Sequence, residues 1–274
     1  MKYFEHTYLN TYYYSNIVSN ILQRDIELIG FISNFFANEE TIFNLAKPFQ
    51  KYSAFHCFIH YMIADFFEND MDEYDQRIFE YHKVNKYAIE PLYAESALKE
   101  YELYDYSFKE FINSKNEIEY SDIEAYRDDL ILSGRLEELY DKITNEVFYV
   151  MFNNREALLQ FNYIFSEQLE MGIGEIEGNE VKALFTRKGF LKRTKIPEWC
   201  KKAVFFRDRG RCCLCTKDLS GIISIKSEKQ YDHIIPLAKG GLNDVSNIQL
   251  LCSNCNNKKN KLTIETSNYY ESWY

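Results

Sequence analysis

Glycine and proline are scarce in this sequence, and they are scarcest in its first part. The 274 residues include ten glycines and four prolines, but only Gly30, Gly134, Pro48 and Pro91 precede residue 172. Both residue types interrupt helices, and turn-rich β-structures depend on them. Their absence over so long a stretch favours helices for the N-terminal part and disfavours a turn-rich β-fold.

The sequence also lacks the long apolar runs of a membrane protein. No run approaches the roughly 18 to 20 apolar residues that a membrane-spanning helix needs. The N-terminal stretch MKYFEHTYLNTYYY lacks the basic and then apolar order of a secretory signal. We therefore expect a soluble, cytoplasmic protein without a membrane partner. Five of the seven cysteines lie in the last quarter of the chain at paired spacings. In a reducing compartment this pattern predicts metal binding rather than disulfides.

Charge is unevenly distributed along the chain, whose net charge is −10. Residues 1–181 hold 14 Lys and Arg against 34 Asp and Glu, whereas residues 182–274 hold 18 against 8. A basic C-terminal part favours contact with a polyanion such as nucleic acid. An acidic N-terminal part would repel the same polyanion, so we expect the two parts to have different tasks.

Helical patterns mark the N-terminal part. Residues 51–69 are apolar almost all round, which is typical of a central, buried helix. Residues 134–172 predict one long helix, or two stacked helices, that end at Gly172. Ser121, followed by Glu124, predicts an N-terminal capping box for a further helix.

Two histidines, His56 and His60, lie four residues apart in the apolar segment. A histidine pair at this spacing can bind a metal ion on one face of a helix. No ligand motif completes the set, so we interpret both as core or partly buried histidines.

Two Cys-x-x-Cys pairs stand out in the C-terminal part. Cys212 and Cys215 form the first pair, and Cys252 and Cys255 form the second. Each pair lets two thiolates converge on one ion from a tight turn, and two pairs complete the tetrahedral site that zinc favours. Four thiolates leave no open position for water, so this zinc would be structural, and any chemistry must come from other residues. Cys213 is interpreted as a neighbour, because Cys-x-Cys is a poorer chelating turn.

Between the two pairs lies YDHIIPLAKGGLNDVSNIQLL, and here the sequence resembles a known family. The stretch from about Ile196 to Leu262 resembles the HNH nucleases, through IPEWCKKAVFFRDRGRCCLC, DHIIPLAKGG, NDVSNIQLLC and CNNKKNK in this order. The resemblance covers about a quarter of the chain. It implies a ββα-metal fold whose first strand carries an Asp-His pair, whose second strand carries an Asn, and whose helix starts with a further Asn. We therefore expect an α+β protein, with a mainly α-helical N-terminal domain followed by a small zinc-containing ββα-metal (HNH) domain.

Composition and resemblance together predict the domain organisation. An acidic, aromatic-rich helical domain for regulation or partner binding is expected at residues 1–172. A basic connector is expected at residues 173–196, where EVKALFTRKGF could be a short hairpin or an ordered linker. The HNH nuclease domain is expected at residues 197–274.

The resemblance implies a role for each residue of the nuclease core. His233 is the general base that takes a proton from the attacking water, and Asn247 would orient the His233 ring and brace the loop. Asp232 and Asn256 would hold one catalytic divalent ion, Mg²⁺ or Mn²⁺, since a neutral amide oxygen suits a hard cation. Asn256 stands where some family members have a histidine, so the metal's identity stays open. Neighbouring strand residues point to opposite faces, so Asp232 and His233 share a site only if the strand bends or the ion lies at its edge.

Basic residues surround this core and are expected to contact nucleic-acid phosphates, which gives little base specificity. The alternative is a solvated basic face without a ligand. The expected contacts are Lys201, Lys202, Arg207, Arg209, Arg211, Lys258, Lys259 and Lys261.

These features favour a metal-dependent HNH endonuclease that hydrolyses DNA phosphodiester bonds, with RNA left open as a substrate. An acidic helical domain beside a small nuclease core suits an effector whose cutting is controlled, as in antiphage defence or restriction. The control would act through a protein partner or self-association of the helical domain. Two alternatives stay open: a zinc-stabilised nucleic-acid-binding module without catalysis, and a mobile-element or phage HNH nuclease.

Overall fold

The computed structural model describes residues 3–23, 29–37, 39–84, 92–103, 106–112, 115, 117–172, 182–221 and 229–270. Two 3₁₀ turns, Leu237–Lys239 and Val245–Asn247, lie between the two strands. None of the described helices is both long and apolar enough to cross a membrane. The elements in chain order are α1 (Tyr3–Leu22), α2 (Ile29–Phe35), α3 (Glu39–Leu45), α4 (Ala54–Val84), α5 (Tyr93–Glu100), α6 (Phe108–Phe111), α7 (Tyr120–Leu132), α8 (Arg135–Phe152), α9 (Arg155–Gly172), α10 (Glu198–Arg207), β1 (Lys229–His233), β2 (Ile248–Cys252) and α11 (Ser253–Lys259).

The chain forms two compact units, and neither is one continuous segment. Unit 1 comprises Met1–Asn16 and Ile59–Val147, and unit 2 comprises Ile17–Phe58 and Phe148–Tyr274. Unit 2 thus contains segments from both sides of the boundary predicted after residue 172. The predicted boundaries stay a prediction, and residues 173–181 of the predicted connector lie outside the described residues.

Aromatic side chains fill the core of unit 1. The rings of Tyr14 and Phe66 lie 5.4 Å apart, and Phe67 lies 5.3 Å from both Tyr93 and Tyr140. Such edge-to-face and tilted pairs contribute about 0.5–1.5 kcal/mol each beyond the area they bury. Burial also raises the pKa of the Tyr14 hydroxyl, so that it stays protonated.

The core of unit 2 joins the start of α4 to α9. Phe55 and Phe58 of α4 are fully buried and lie 5.0 Å and 5.4 Å from the ring of Phe161 in α9. Within α9, Leu158, Phe161 and Phe165 are buried at spacings of three and four residues, as expected for one face of a helix. The helix predicted within residues 51–69 is present, but it begins at Ala54 and continues to Val84.

Two of the helix boundaries test the sequence patterns directly. Residues 134–172 form two helices rather than one, and the second ends at Gly172 as predicted. The predicted cap at Ser121 is wrong, because α7 already begins one residue earlier, at Tyr120. The carboxylate of Asp122 instead accepts a hydrogen bond from the backbone N–H of Glu119 at 3.0 Å. A charged residue therefore caps this helix where the hydroxyl was expected.

The C-terminal part of unit 2 has the predicted ββα arrangement. Strands β1 and β2 pair antiparallel, with Asp232 opposite Gln249 and His233 opposite Ile248. Helix α11 follows β2 directly and packs against both strands. The expected α+β fold, with a mainly helical N-terminal part, is confirmed. The stretch 184–192 forms a hairpin-like turn closed by a bridge between residues 185 and 191.

The start of α4 contains a neutral, buried histidine. The Nδ1 atom of His56 accepts a hydrogen bond from the backbone N–H of Ser53 at 3.0 Å, and its ring stacks on Phe148 at 3.4 Å. Burial lowers the pKa of His56 to about 4. Protonation would place a hydrogen on the atom that must accept from Ser53, so the charged ring does not fit this site. His60 lies partly buried beside Glu137 at 3.2 Å.

We predict that acid destabilises unit 2 through His56. Because its folded pKa is lowered, the stabilisation is fully present above about pH 6.5 and is lost as the pH falls towards 4. Between pH 7 and pH 5 this amounts to about 2 kcal/mol. Urea unfolding at both pH values should show that His56→Gln, whose amide oxygen can still accept from Ser53, loses less stability on acidification than the wild type. An equal loss in both proteins would contradict this.

Candidate functional site

Four cysteine sulphurs meet at one end of the two-stranded sheet. The Sγ atoms of Cys212, Cys215, Cys252 and Cys255 all lie within 4.8 Å of one another, and those of Cys215 and Cys252 are 3.8 Å apart. A zinc ion with Zn–S bonds of about 2.3 Å needs four sulphurs on a tetrahedron with edges of about 3.8 Å. The cluster therefore fits a structural zinc site, as the sequence predicts.

Backbone geometry brings each cysteine pair together. The N–H of Thr216 donates to the carbonyl of Cys212 at 2.8 Å, and the N–H of Cys212 donates to the carbonyl of Lys217 at 2.9 Å. Together these two bonds close a tight turn. Cys252 is the last residue of β2 and precedes α11, where its Sγ accepts from the N–H of Cys255 at 3.4 Å. A turn and a strand–helix junction thus supply two sulphurs each.

Cys213 makes different contacts from its neighbours in the turn. Its thiol donates to Oε1 of Gln249 at 3.0 Å, and its backbone N–H donates to the carbonyl of Leu250 at 3.0 Å. Burial raises the pKa of this thiol to about 12, so it stays protonated at neutral pH. Cys213 therefore joins the turn to β2 and is a neighbour of the cluster, as expected.

A buried carboxylate anchors β2 to two helices. Asp208 Oδ2 accepts from the backbone N–H of Leu250 at 2.8 Å, while Oδ1 accepts from Arg155 of α9 at 2.9 Å and from Arg207 of α10 at 2.8 Å. Arg207 also donates to the carbonyl of Ile248 at 2.6 Å. The prediction that Arg207 contacts phosphate is wrong, because its side chain is fully buried against Asp208.

The candidate base, His233, is the last residue of β1 and is buried. Its Nε2 lies 3.3 Å from Oδ1 of Asn243. Burial lowers the pKa of His233 to about 4, Asp232 and Asn243 act in the opposite direction, and Arg193 and Lys259 lower it further. The ring is therefore neutral at pH 7 and has one nitrogen with a free lone pair, as a general base requires.

Asn247 is fully buried, and among the described residues its side chain binds backbone atoms alone. Its Nδ2 donates to the carbonyls of Ile235 at 3.0 Å and Leu242 at 2.9 Å, and its Oδ1 accepts from the N–H of Ile235 at 2.8 Å. It therefore braces the loop between the strands, as expected. The ring-orienting contact, also expected of Asn247, is made by Asn243 instead, since all three side-chain bonds of Asn247 go to the loop.

Gly241 is needed because the backbone of Ile235 passes close to it, not because the loop must be flexible there. A Cβ at this position would lie 1.9 Å from the carbonyl oxygen of Ile235 and 2.9 Å from Nδ2 of Asn247. No other residue fits there without moving the backbone that Asn247 holds.

Asp232 lies beside a buried lysine. Its Oδ2 is 2.9 Å from Nζ of Lys259 in α11, which also donates to the backbone carbonyl of His233 at 2.8 Å. The prediction that Lys259 contacts phosphate is therefore wrong, because its side chain is fully buried. Among the described residues no group donates a directed hydrogen bond to Oδ2 of Asp232, although the ammonium is close.

The residues expected to hold a divalent cation have suitable chemistry. Asp232 offers a carboxylate oxygen that accepts no directed hydrogen bond from the described residues, and Asn256 offers an amide oxygen from α11. Carboxylate and amide oxygens are the hard ligands that Mg²⁺ and Mn²⁺ prefer. The donor set fits such an ion, and the nearby Lys259 ammonium would share the carboxylate with it.

The other expected phosphate contacts reach the surface. Lys201 is half-buried and pairs with Glu198 at 2.6 Å, and Arg211 donates to the carbonyl of Thr216 at 3.1 Å. The guanidinium of Arg209 lies over the ring of Tyr270. The exposed residues of this set are Lys202, Arg209, Lys258 and Lys261.

Two loop residues, Asn243 and Asp244, belong to the site without having been predicted. Asp244 Oδ1 accepts from the N–H and the hydroxyl of Ser246 at 2.9 Å and 2.7 Å, while Oδ2 accepts from the N–H of Ala54 at 3.0 Å. Burial raises the pKa of Asp244, against the hydrogen bonds from Ser246 and Ala54. The Asp-x-Ser spacing is a turn signal that could have indicated the first contact. No local pattern indicates the contact between Asp244 and Ala54, which joins residues 190 positions apart.

Comparison with known proteins supports this site. Residues 212–262 match the family model described as HNH endonuclease. The match begins at the first zinc-type cysteine and includes His233, Asn247 and Asn256, so the predicted resemblance is confirmed for this region. Searches of curated proteins and of solved structures returned no match.

We predict that Cys252→Ala abolishes zinc binding and lowers the melting temperature. Removing one of four sulphurs opens the tetrahedron, and metal binding contributes folding free energy on the order of 10 kcal/mol in small zinc domains. Metal analysis and thermal unfolding measure both effects. The matched control is Cys213→Ser, which should keep about one zinc per chain. Unchanged zinc content and melting temperature in Cys252→Ala would contradict the assignment.

Proposed function

We propose that this chain is a metal-dependent endonuclease that hydrolyses DNA phosphodiester bonds. The observation that carries the proposal is the neutral, buried imidazole of His233 next to Asp232, within a region that matches the HNH endonuclease family. The four-cysteine cluster gives this small region the structural metal that its sheet is too small to replace.

His233 acts as the general base. With a pKa well below 7 its ring is unprotonated at physiological pH and can take a proton from a water molecule that attacks phosphorus. A nearby cationic group, Arg193, favours the neutral ring and is suitably charged to hold a phosphate at the site.

Asp232 and Asn256 hold the catalytic cation, Mg²⁺ or Mn²⁺. The ion supplies charge neutralisation for the phosphate oxygens and the leaving 3′ oxygen. Lys259 holds the two neighbours in place, since its ammonium contacts both the Asp232 carboxylate and the His233 carbonyl.

Exposed and half-buried basic residues contact the phosphate backbone of the substrate. Residues 182–274 carry a net charge of +10, and the family match implies a nucleic-acid substrate for this part. Phosphate contacts of this kind position a duplex without reading its sequence. The proposed contacts are Lys201, Lys202, Arg209, Arg211, Lys258 and Lys261, with DNA preferred over RNA.

N-terminal residues control the cutting, because they hold the loop that carries Asn243. The N–H of Phe49 donates to the carbonyl of Asn243 at 2.7 Å, and Asp244 accepts from the N–H of Ala54 at the start of α4. A partner or a second copy that shifts α4 would therefore reach the candidate base. Controlled cutting of this kind suits a restriction or antiphage-defence effector.

One observation favours a second candidate, a zinc-stabilised module that binds nucleic acid without cutting it. The ammonium of Lys259 is fixed 2.9 Å from Asp232, and a cation at this carboxylate competes with a divalent ion for the same oxygens. If the lysine prevails, the basic surface and the zinc cluster remain while catalysis is lost.

We predict that the protein relaxes supercoiled plasmid with Mg²⁺ or Mn²⁺ and that His233→Ala abolishes this. Loss of a general base should slow cleavage by about 10²–10⁴-fold, while zinc content and fold persist. The matched control is His60→Ala, a histidine outside the matched region, which should cut like the wild type. Equal cutting by wild type and His233→Ala would refute the assignment, and binding without cutting by the wild type would favour the second candidate.

We predict that Asp244→Asn slows cleavage by uncoupling the loop from α4. The amide oxygen can still accept from Ser246, but its NH₂ group faces the N–H of Ala54, which loses its acceptor. An unpaired buried donor costs about 1–3 kcal/mol, so both the cleavage rate and the unfolding midpoint should fall.

The control for this variant is Asp122→Asn, which removes a carboxylate from the N-terminus of α7 in unit 1. It should lower stability without slowing cleavage at a temperature where the protein stays folded. If Asp244→Asn also leaves the cleavage rate unchanged under that condition, the proposed control through α4 is wrong.

A further inference from the structure

Asn243 is buried between three partners that come from distant parts of the chain. Its Oδ1 lies 3.3 Å from Nε2 of His233, its Nδ2 donates to the carbonyl of Lys192 at 2.8 Å, and its own carbonyl accepts from the N–H of Phe49 at 2.7 Å. Two of these partners, Lys192 and Phe49, lie outside the region that matches the family. The orientation of Asn243 is therefore a property of this chain rather than of the matched core alone.

The partners decide which way the amide of Asn243 points. The backbone carbonyl of Lys192 can only accept, so it must face the NH₂ group of the amide. The amide oxygen then faces the imidazole, and an amide oxygen can only accept. The facing nitrogen of His233, Nε2, must therefore carry the hydrogen, and the other nitrogen, Nδ1, holds the lone pair.

We propose that Asn243 is a positioning residue that fixes His233 as its Nε2–H tautomer and thereby makes Nδ1 the proton-accepting atom. The inference rests on the proposed nuclease function. In the reaction, the proton of the water goes to Nδ1, the water oxygen forms a new bond to phosphorus, and the bond between phosphorus and the 3′ oxygen breaks. The leaving 3′ oxygen takes a proton from solvent. Lys192 and Phe49 act one step further out, by holding Asn243.

The test is nitrogen-15 NMR of the zinc-loaded full chain with labelled histidine, at pH 8, where an unperturbed histidine is neutral. The wild type should show the His233 ring as Nε2–H, with a slowly exchanging ring N–H signal. Asn243→Ala should lose that slow exchange, because the hydrogen bond is gone. Asn243→Asp, which keeps an acceptor towards the ring, should retain the Nε2–H form. The ring signals of His60 serve as the internal reference and should stay unchanged.

Cleavage kinetics provide the second readout. Asn243→Ala should lower kcat by about 100-fold, the size of effect that misplacing a reacting group by about 1 Å can have, with KM within about twofold because phosphate contacts remain. A purely structural role would instead lower the melting temperature and leave the ratio of kcat to folded protein unchanged.

The two readouts separate this inference from the proposed function. A His233 ring protonated at Nδ1 in the wild type would overturn the inference even if plasmid is cut. An Nε2–H ring held by Asn243 in a protein that cuts no nucleic acid would sustain the assigned tautomer and overturn the role as base. If the ring N–H of His233 still exchanges slowly in Asn243→Ala, Asn243 does not fix the tautomer and the inference is wrong.

Discussion

The structure depends on satisfying the polar groups of residues 241–247, the buried second half of the loop between β1 and β2. All residues from 241 to 250 are buried, whereas loops normally run over the surface because water satisfies their backbone. Here the partners are protein groups. Asn247 binds three backbone atoms of the loop, Asp244 binds its own turn and Ala54, and Asn162 of α9 donates to the hydroxyl of Ser246 at 3.1 Å. The loop is held this firmly only because residues far away in sequence complete its hydrogen bonds.

The same constraint explains why helices from the N-terminal part lie in the unit that contains the candidate site. A ββα core with two five-residue strands offers few hydrogen-bond partners of its own. Helix α9 supplies Arg155 to the buried carboxylate of Asp208, and this carboxylate in turn holds β2. Breaking such a pair would leave a buried charge, which costs several kcal/mol. Helix α9, which belongs to unit 2, is thus a structural support of the site.

Sequence patterns predicted the parts whose spacing is local. The Cys-x-x-Cys pairs, the Asp-His strand and the end of α9 at Gly172 depend on neighbours a few residues away, and each lies where the pattern placed it. Most failures come from contacts between distant parts of the chain. Arg207 and Lys259 resemble surface cations in the sequence, but the fold buries both side chains, and each donates to a backbone carbonyl far away along the chain, Ile248 and His233 respectively. Asn243 is held beside the imidazole by Lys192 and Phe49. Contacts between residues distant in sequence leave no periodicity or spacing from which they could be read.

The neighbouring positions of Asp232 and His233 raised a geometric difficulty, since strand residues alternate in direction. The alternation is retained: the carboxylate contacts Lys259 of α11, while the imidazole contacts Asn243 of the loop. Because His233 is the last residue of β1, the two side chains lie at the end of the strand. Lys259 binds the carboxylate of one neighbour and the carbonyl of the other, so it fixes the turn of the chain at that point. A cation that binds Asp232 therefore meets a carboxylate already shared with an ammonium. For the proposed divalent ion, the affinity would therefore depend on Lys259 of α11 as well as on the strand.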